Sequence, residues 1–484
     1  MPETSNTNKI PFRHLLLQYT NTALNILFPL ILFPYMTRTL GPQGYGVIGY
    51  YESLMLVVNV WAAFGVNYFG LRLLSKSAVG DANHANTVLH LLFINGFMAF
   101  TGTVCYLLYI VSKPVQIGSP GITLLYAYIM LVYMFHADWY FQSQEKFRFL
   151  LNRTFVLRLF VLVSAIILVR KPEHLIYYIM VSAVNYTLIA ASTWWNLRSL
   201  LPYWKWDADL FKKLIRSLWP FALLGVLSSF YFSLDTIILA RTGKVADLGH
   251  YTVAAKIVRL GLNVFIGASI VFFVKLFRSA VDRKLQEDSM LMTMHLSIPI
   301  GALLFAFANP VIRFVSGVHY LPATDILRIF SLLWVVVPLH DFFTIQVLMV
   351  HHREKLLVRL YTIASLVSLF LNIILIPLWF TQGAAIAMLV TEVVVLVVAV
   401  IYSRDYFRLN SSMIIDFLSC LTAFPIAWLG FSLAENISQN ALVQLTVGLT
   451  VSCLAYALVQ VLIFSNDFWS RMWQALRAKW LRTV

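Results

Sequence analysis

The chain is 484 residues long, with 60% of them apolar and only 12% charged, and its mean hydropathy of +0.78 excludes an ordinary soluble globular domain. A formal charge of +15 would suit a nucleic-acid binder only if the basic residues shared one surface. They do not, and their distribution along the chain has another origin. The apolar residues lie in blocks of about 20, the length a helix needs to cross a hydrocarbon core of about 30 Å. The alternating segments of about 10 residues that mark a transmembrane β-barrel do not occur.

In chain order, the hydropathy pattern predicts spans at 15 to 36, 46 to 69, 88 to 111, 121 to 142, 151 to 169 and 175 to 197 in a first half. A hydrophilic connection follows at 198 to 217, containing Trp204, Lys205, Trp206 and Lys212. Aromatic rings beside basic heads suit the headgroup layer, so this connection is expected to lie on the cytoplasmic surface. A second half has spans at 218 to 240, 253 to 276, 290 to 312, 326 to 350, 357 to 379 and 383 to 403, followed by a pair at 413 to 431 and 442 to 464. The expected fold class is therefore an all-α polytopic membrane protein of about 14 helices. Its predicted parts are an N-terminal six-helix lobe (1–197), a linker (198–217), a C-terminal six-helix lobe (218–403), and two extra helices with a basic tail (404–484).

Lysine and arginine test this reading independently, because cytoplasmic loops carry the excess of them. With the amino terminus inside, 25 of the 36 basic residues fall in cytoplasmic segments, 7 in outward loops, and Arg158, Lys256, Arg259 and Arg328 within spans. Both termini are expected in the cytoplasm. No cleavable signal peptide is expected, since the first span is long and no small-residue cleavage site follows it. Cys105, Cys420 and Cys453 all fall inside predicted helices, so neither a disulfide nor a metal site is expected from them.

The halves resemble each other. After the first span comes Arg38-Thr39-Leu40-Gly41 with Gly46, and after the seventh Arg241-Thr242-Gly243 with Gly249. The spacing from arginine to the second glycine is the same in both, and Tyr50 and Tyr251 follow closely. Glu145-Lys146 opens the fifth predicted helix and Glu354-Lys355 the eleventh. Six crossings per half make these parallel repeats, related by an axis along the membrane normal, which is a transporter architecture.

Three stretches carry a family resemblance: Phe33-Pro34-Tyr35-Met36-Thr37-Arg38-Thr39-Leu40-Gly41-Pro42 with Tyr45-Gly46; Asp138-Trp139-Tyr140-Phe141-Gln142 leading to Glu145-Lys146-Phe147; and Gly317-Val318-His319-Tyr320-Leu321-Pro322-Ala323 before Ile326-Leu327-Arg328-Ile329. Each resembles the Wzx-type polysaccharide flippases of the multidrug, oligosaccharidyl-lipid and polysaccharide exporter superfamily. The resemblance implies two six-helix lobes meeting in a V around a cationic cavity lined by helices 1, 2, 7 and 8. It further implies a multi-pass protein of a bacterial inner membrane that moves an undecaprenyl-pyrophosphate-linked O-antigen or similar repeat unit to the periplasmic leaflet by alternating access. Membrane lipids, a polysaccharide polymerase and a chain-length regulator are the implied partners. A lipid II flippase or a drug exporter of the same superfamily is the alternative, although a drug-cation exporter would want a more acidic cavity.

A lipid pyrophosphate needs cations for its phosphates and hydrogen-bonding groups for its sugars. Lys256, Arg259 and Asn263 share one face of the eighth predicted helix with Gly267. The first helix repeats the pattern with Gln18, Asn21 and Asn25 before Pro29 and Pro34, the second carries Glu52 and Asn59, and the seventh Ser228 and Asp235. Arg38 and Arg241 complete the candidate substrate-binding set, though capping and topology also account for charges at span ends. Asp235, Asp138, Asp341 and Glu392 are candidates for ion coupling, because a carboxylate in low dielectric can exchange a proton. His340 beside Asp341 is a further titrating group, and Asp138 is expected to pair with a nearby base. Arg153 and Arg158 read as snorkelling side chains.

An enzyme is the rival class. Polysaccharide polymerases and ligases also span the membrane many times, but resemble a pattern with one large periplasmic loop, and no outward loop here exceeds about 20 residues. A phosphate-binding Gly-rich loop with Lys-Ser/Thr and a His-Glu-x-x-His motif are both lacking in the sequence. His351 and His352 adjoin Arg353 on a predicted cytoplasmic turn, which suits a solvated loop better than a metal pair. No cofactor is called for.

Overall fold

A computed structural model describes residues 12–74, 82–112, 117–242, 244–278, 283–464 and 469. The described residues form helices and connecting turns, without strands. In chain order the helices are α1 (Phe12–Ala63), α2 (Val66–Leu74), α3 (Ala82–Ser112), α4 (Pro120–Val132), α5 (Asp138–Ser143), α6 (Phe147–Leu168), α7 (Leu175–Leu197), α8 (Ala208–Thr242) and α9 (Val245–Arg278), then α10 (Arg283–Ala306), α11 (Ala308–Val315), α12 (Ala323–Ser331) and α13 (Leu333–Asp341). After a π-helical stretch at Phe342–Met349 come α14 (Glu354–Ser403), α15 (Ser411–Leu421), α16 (Ala423–Ile437) and α17 (Ala441–Leu462).

Among the described residues, 11 helical segments are long and apolar enough to cross a membrane. Two of them, Leu27–Leu74 and Lys355–Ser403, have 48 and 49 residues, about 72 Å of helix each and more than twice a hydrocarbon core. Each is broken where the sequence forces it. In α1 the break is Gly41, at φ 67° and ψ 178°; Pro42 disfavours helix at the residue before it, and only glycine adopts this backbone freely. In α14 it is Trp379 and Phe380, the latter at φ 47°, just after Pro377. A Cβ on Gly383 would stand 2.1 Å from the Leu375 carbonyl oxygen, so the chain doubles back there in a tight corner.

Proline also divides several predicted spans. The ring clashes with the carbonyl four residues earlier. Four before Pro310 is Ala306, where α10 ends, and four before Pro425 is Leu421, where α15 ends. The span predicted at 326 to 350 consists of α12, α13 and the π-helix.

The chain forms two compact units, Met1–Leu40 with Val47–Ser233, and Gly41–Gly46 with Leu234–Val484. Aromatic packing builds the first around Trp139, Phe141 and Phe64, with Val88, Leu91, Leu150 and Leu218 buried beside them. The second contains a tight cluster of Ala302, Ala306, Phe307, Ala423, Ala427 and Tyr456. Small residues let helices approach closely, which is how they gain contact energy in lipid. Outward, Leu366, Phe370 and Ile373 of α14 are all more than half exposed, a ridge that water would not tolerate but acyl chains solvate.

The connection between α7 and α8 is a 3-10 turn at Arg198–Tyr203 followed by Trp204–Asp207. It is fastened to α3: the Lys205 N–H donates to Asn86 Oδ1 (3.0 Å), and the Asp207 N–H donates to Nε2 of the fully buried His90 (3.2 Å). The rings of Trp204 and Trp206 lie 4.7 and 5.6 Å from the His90 ring. Asp207 in turn caps α8, its Oδ1 accepting the Leu210 N–H at 2.9 Å.

Candidate functional site

The polar residues inside the second unit gather on α8, α9 and α14. Asp235 on α8 is 3% exposed, and a bare carboxylate there would be costly. It accepts hydrogen bonds from the Thr236 N–H and hydroxyl and from the Tyr251 hydroxyl. The Arg259 guanidinium stands 3.9 Å from its Oδ2 and 3.8 Å from Met388 Sδ on α14. One turn earlier on α9, Lys256 Nζ lies 5.4 Å from the centre of the Tyr45 ring, a cation–π arrangement. Asn263, two turns further on from Lys256, is exposed. The periodicity that placed Lys256, Arg259 and Asn263 on one face is thus realised on a helix, with Lys256 and Arg259 half-buried.

Tyr45 reaches Lys256 because the Gly41–Gly46 stretch belongs to the second unit. There the two repeat-related glycine tracts meet backbone to backbone. A Cβ on Gly46 would lie 2.0 Å from the Val245 carbonyl oxygen, and one on Gly249 would lie 1.9 Å from that of Pro42. The contact needs glycine on both sides.

A second constellation in this unit joins two other candidates. His340 Nε2 is 2.9 Å from Glu392 Oε2, and its Nδ1 is 3.4 Å from Asp341 Oδ1. His340 and Glu392 are buried and Asp341 nearly so, their side chains 8%, 5% and 17% exposed. They stand where α13, which contains Pro338, passes into the π-helix. The π turn displaces the ordinary bonding register; the Gln286 side-chain amide donates from Nε2 to the Gln346 carbonyl (3.1 Å), and the Ser289 hydroxyl donates to Gln346 Oε1 (2.6 Å).

In the first unit Asp138 pairs with Arg153, Nη2 to Oδ1 2.6 Å, and Arg153 also approaches the Thr193 hydroxyl at 3.5 Å. The Arg153 side chain is only 8% exposed, so it is a buried partner of Asp138 and does not snorkel. Trp139, Tyr140 and Phe141 of the same motif point into the core. Glu52 and Arg158 both act electrostatically on Tyr186, which places them in one neighbourhood of this unit. Asn59 is 8% exposed. Arg38 and Arg241 are exposed, in the first and second unit respectively. Asn25, with Gln18, Asn21 and Gly267, lies outside the residues whose side chains are described.

Sequence reading did not anticipate a cavity of about 400 Å³ in the first unit, lined by Val60, Gly65, Asn67, Tyr133, Phe221 and Ser228 among others. Ser228, seven residues before Asp235 on the same helix, lines this cavity and donates to the Leu224 carbonyl. Among the described residues, no cluster of three or more His, Cys, Asp or Glu could hold a metal ion.

Comparison with known proteins finds similar sequences and similar folds. A family model described as polysaccharide biosynthesis protein matches residues 15–276. A protein of Escherichia coli (strain K12) named "Putative O-antigen transporter" is 22% identical over 419 residues, covering 83% of this chain and 98% of its own length. One of the same name from Shigella dysenteriae is 22% identical over 395 residues, covering 79% and 97%. Among solved structures, the lipid II flippase MurJ in an inward closed conformation superposes with a TM-score of 0.73 at 14% identity, over 94% of this chain and 100% of that one. An inward-facing multidrug resistance MATE family transporter of the MOP superfamily gives 0.61 at 14% identity, over 80% and 94%.

Proposed function

We propose that this chain, which belongs to the polysaccharide biosynthesis protein family, is a flippase that carries an undecaprenyl-pyrophosphate-linked oligosaccharide, of O-antigen or related type, from the cytoplasmic to the periplasmic leaflet of a bacterial inner membrane. It is a transporter and not an enzyme, in keeping with relatives named as transporters. Lobes 1–197 and 218–403, joined by the surface segment 198–217, alternate access to the substrate, both termini lie in the cytoplasm, and the polymerase and chain-length regulator act on the same product. Ion movement through Asp235, Asp138, Asp341 or Glu392 drives the cycle.

The observation that carries this reading is the pair of cations one turn apart within an apolar helix, Lys256 and Arg259. Charges inside a membrane-spanning helix are costly and mark a substrate or ion path. Two cations at this spacing suit the two phosphates of a pyrophosphate, with Arg259 as the planar, multidentate donor and Lys256 as the point charge. They disfavour a cationic drug as cargo. Arg38, Arg241, Asn263, Asn25, Glu52 and Asn59 supply the remaining polar contacts for headgroup and sugars.

The test is transfer of a labelled lipid-linked glycan across sealed vesicles containing the purified chain, together with restoration of surface polysaccharide in a flippase-deleted strain. Replacing Lys256 and Arg259 together by Gln removes two charge-assisted contacts of about 1.5–3 kcal/mol each, so transfer is expected to fall about 100-fold or more at unchanged protein level. Unchanged transfer removes both residues from the mechanism. Transfer of lipid II in preference to the O-antigen precursor would move the assignment to the lipid II class.

A further inference from the structure

We propose that His340, Asp341 and Glu392 form the proton-binding site of this carrier, an assignment that rests on the transport reading above and names the group that couples it. Of the four carboxylates considered for coupling, Asp138 has Arg153 at 2.6 Å and Asp235 has Arg259 at 3.9 Å. An arginine cannot give up its proton, so the neighbour of each of these two is a permanent cation. Asp341 and Glu392 both stand beside His340, a side chain that can be charged or neutral.

The charge count decides what such a site does. An imidazolium has two N–H groups, and the two ring nitrogens of His340 lie 2.9 Å from Glu392 Oε2 and 3.4 Å from Asp341 Oδ1. With both carboxylates ionised the trio carries −1, and with a neutral imidazole −2. Buried net charge is expensive. One further proton, placed on a carboxylate oxygen, brings the trio to zero. The three groups therefore exchange a proton as a unit, taking it from water and returning it there, with no other reactant. Asp341, the most exposed of them at 17%, is the point of entry.

The charges acting on His340 are those of Glu392 and Asp341. From α14, Tyr361 also lies within electrostatic reach of both carboxylates. From α10, the uncharged Gln286 and Ser289 bond to Gln346 of the π-helix. From α9 comes Arg259, which touches Met388 one turn before Glu392. This last contact gives the proton a mechanical output. His340 and Asp341 belong to the Pro338 and π-helical segment, whereas Glu392 belongs to the half of α14 beyond the Trp379–Phe380 break. Neutralising the trio loosens the tie between these two elements, and the neighbouring turn of α14 bears on Arg259, which is proposed to meet the anionic headgroup.

The experiment uses the full-length chain in sealed vesicles and a labelled lipid-linked glycan, with and without an imposed pH gradient. The native rate is expected to respond to the gradient, and Glu392→Gln and His340→Gln are expected to lose that response, their rates becoming equal with and without it. His174→Gln, on an exposed turn remote from these residues in sequence, retains it. Difference infrared spectra between acid and alkaline buffer provide a reading independent of transport: a carboxyl band in the native protein that disappears in Asp341→Asn or Glu392→Gln. If a variant fails to fold, the native spectrum still decides, because absence of any carboxyl band overturns the proposal. A gradient response that survives Glu392→Gln also overturns it. A native chain that transfers glycan equally with and without a gradient overturns the proton site and leaves the flippase reading intact. Failure to transfer glycan under any condition sinks the flippase reading, and the infrared band then stands or falls for the proton site alone.

Discussion

Asp138 shows what one residue contributes in a membrane interior. Its partner Arg153 is 8% exposed while Asp138 itself keeps 42%, so the pair is half desolvated and not a free surface contact. Deleting the carboxylate leaves a buried guanidinium, which in a fully buried pair costs about 3–5 kcal/mol. The solvent reaching Asp138 reduces this, and Asp138→Asn is expected to lower stability by about 2 kcal/mol. Adding Arg153→Gln should restore part of the loss in a double-mutant cycle, measured by reversible unfolding in mixed micelles. Equal and additive losses would show that the two side chains do not depend on each other. A base beside Asp138 was legible in the sequence through the resemblance of the Asp138-Trp139-Tyr140-Phe141-Gln142 motif to the family. Which base it would be was not legible. Arg153 lies 15 residues away on another helix, and its choice depends on how α5 and α6 pack. The same holds for His340 and Glu392, which only the corner in α14 and the rotation of its second half bring together.

At the scale of elements, local rules were readable wherever backbone chemistry is decisive. Leu40-Gly41-Pro42 announces the break in α1, and Pro310 and Pro425 divide their spans four residues upstream. The π-helix had no such signal, since no side chain demands it and its register is settled by Gln286 and Ser289. The repeat was visible, but its register needed the structure. Lys146 donates to the Phe141 carbonyl (2.9 Å) with Glu145 at φ 54°, and Arg353 donates to the Leu348 carbonyl (3.0 Å) with His352 at φ 56°. These are the same helix-ending motif, so Lys146 corresponds to Arg353, two residues before the Glu354-Lys355 match that the sequence offered. The glycine pair of the repeat has a sharper consequence. Gly249→Ala or Gly46→Ala would drive a methyl into a backbone carbonyl that cannot rotate away, and each is expected to cost about 1–3 kcal/mol. Gly225→Ala meets only the Val60 Cγ1 atom at 3.0 Å, and is expected to cost less. Equal melting temperatures for all three variants would contradict the close approach.

For the molecule as a whole, composition and periodicity were enough to establish a many-spanning helical protein, since hydrocarbon leaves the backbone few alternatives. The sidedness expected from the charge distribution can be measured. With Cys105, Cys420 and Cys453 replaced, a membrane-impermeant thiol reagent is expected to label Lys205→Cys only from the cytoplasmic side and Lys171→Cys only from the other. Labelling of Lys205→Cys in intact cells would invert the assignment. The corner of α14 extends this to how the protein is made. No charged residue occurs between Arg359 and Glu392, and the corner at Pro377–Gly383 has only Thr381 and Gln382 as polar side chains. A turn so cheap to carry through lipid cannot itself hold a side of the bilayer during synthesis. The two helical arms are therefore expected to enter together as a hairpin, with the basic residues at its base, Arg353, Lys355 and Arg359 at one end and Arg404 and Arg408 at the other, as the brake on its insertion.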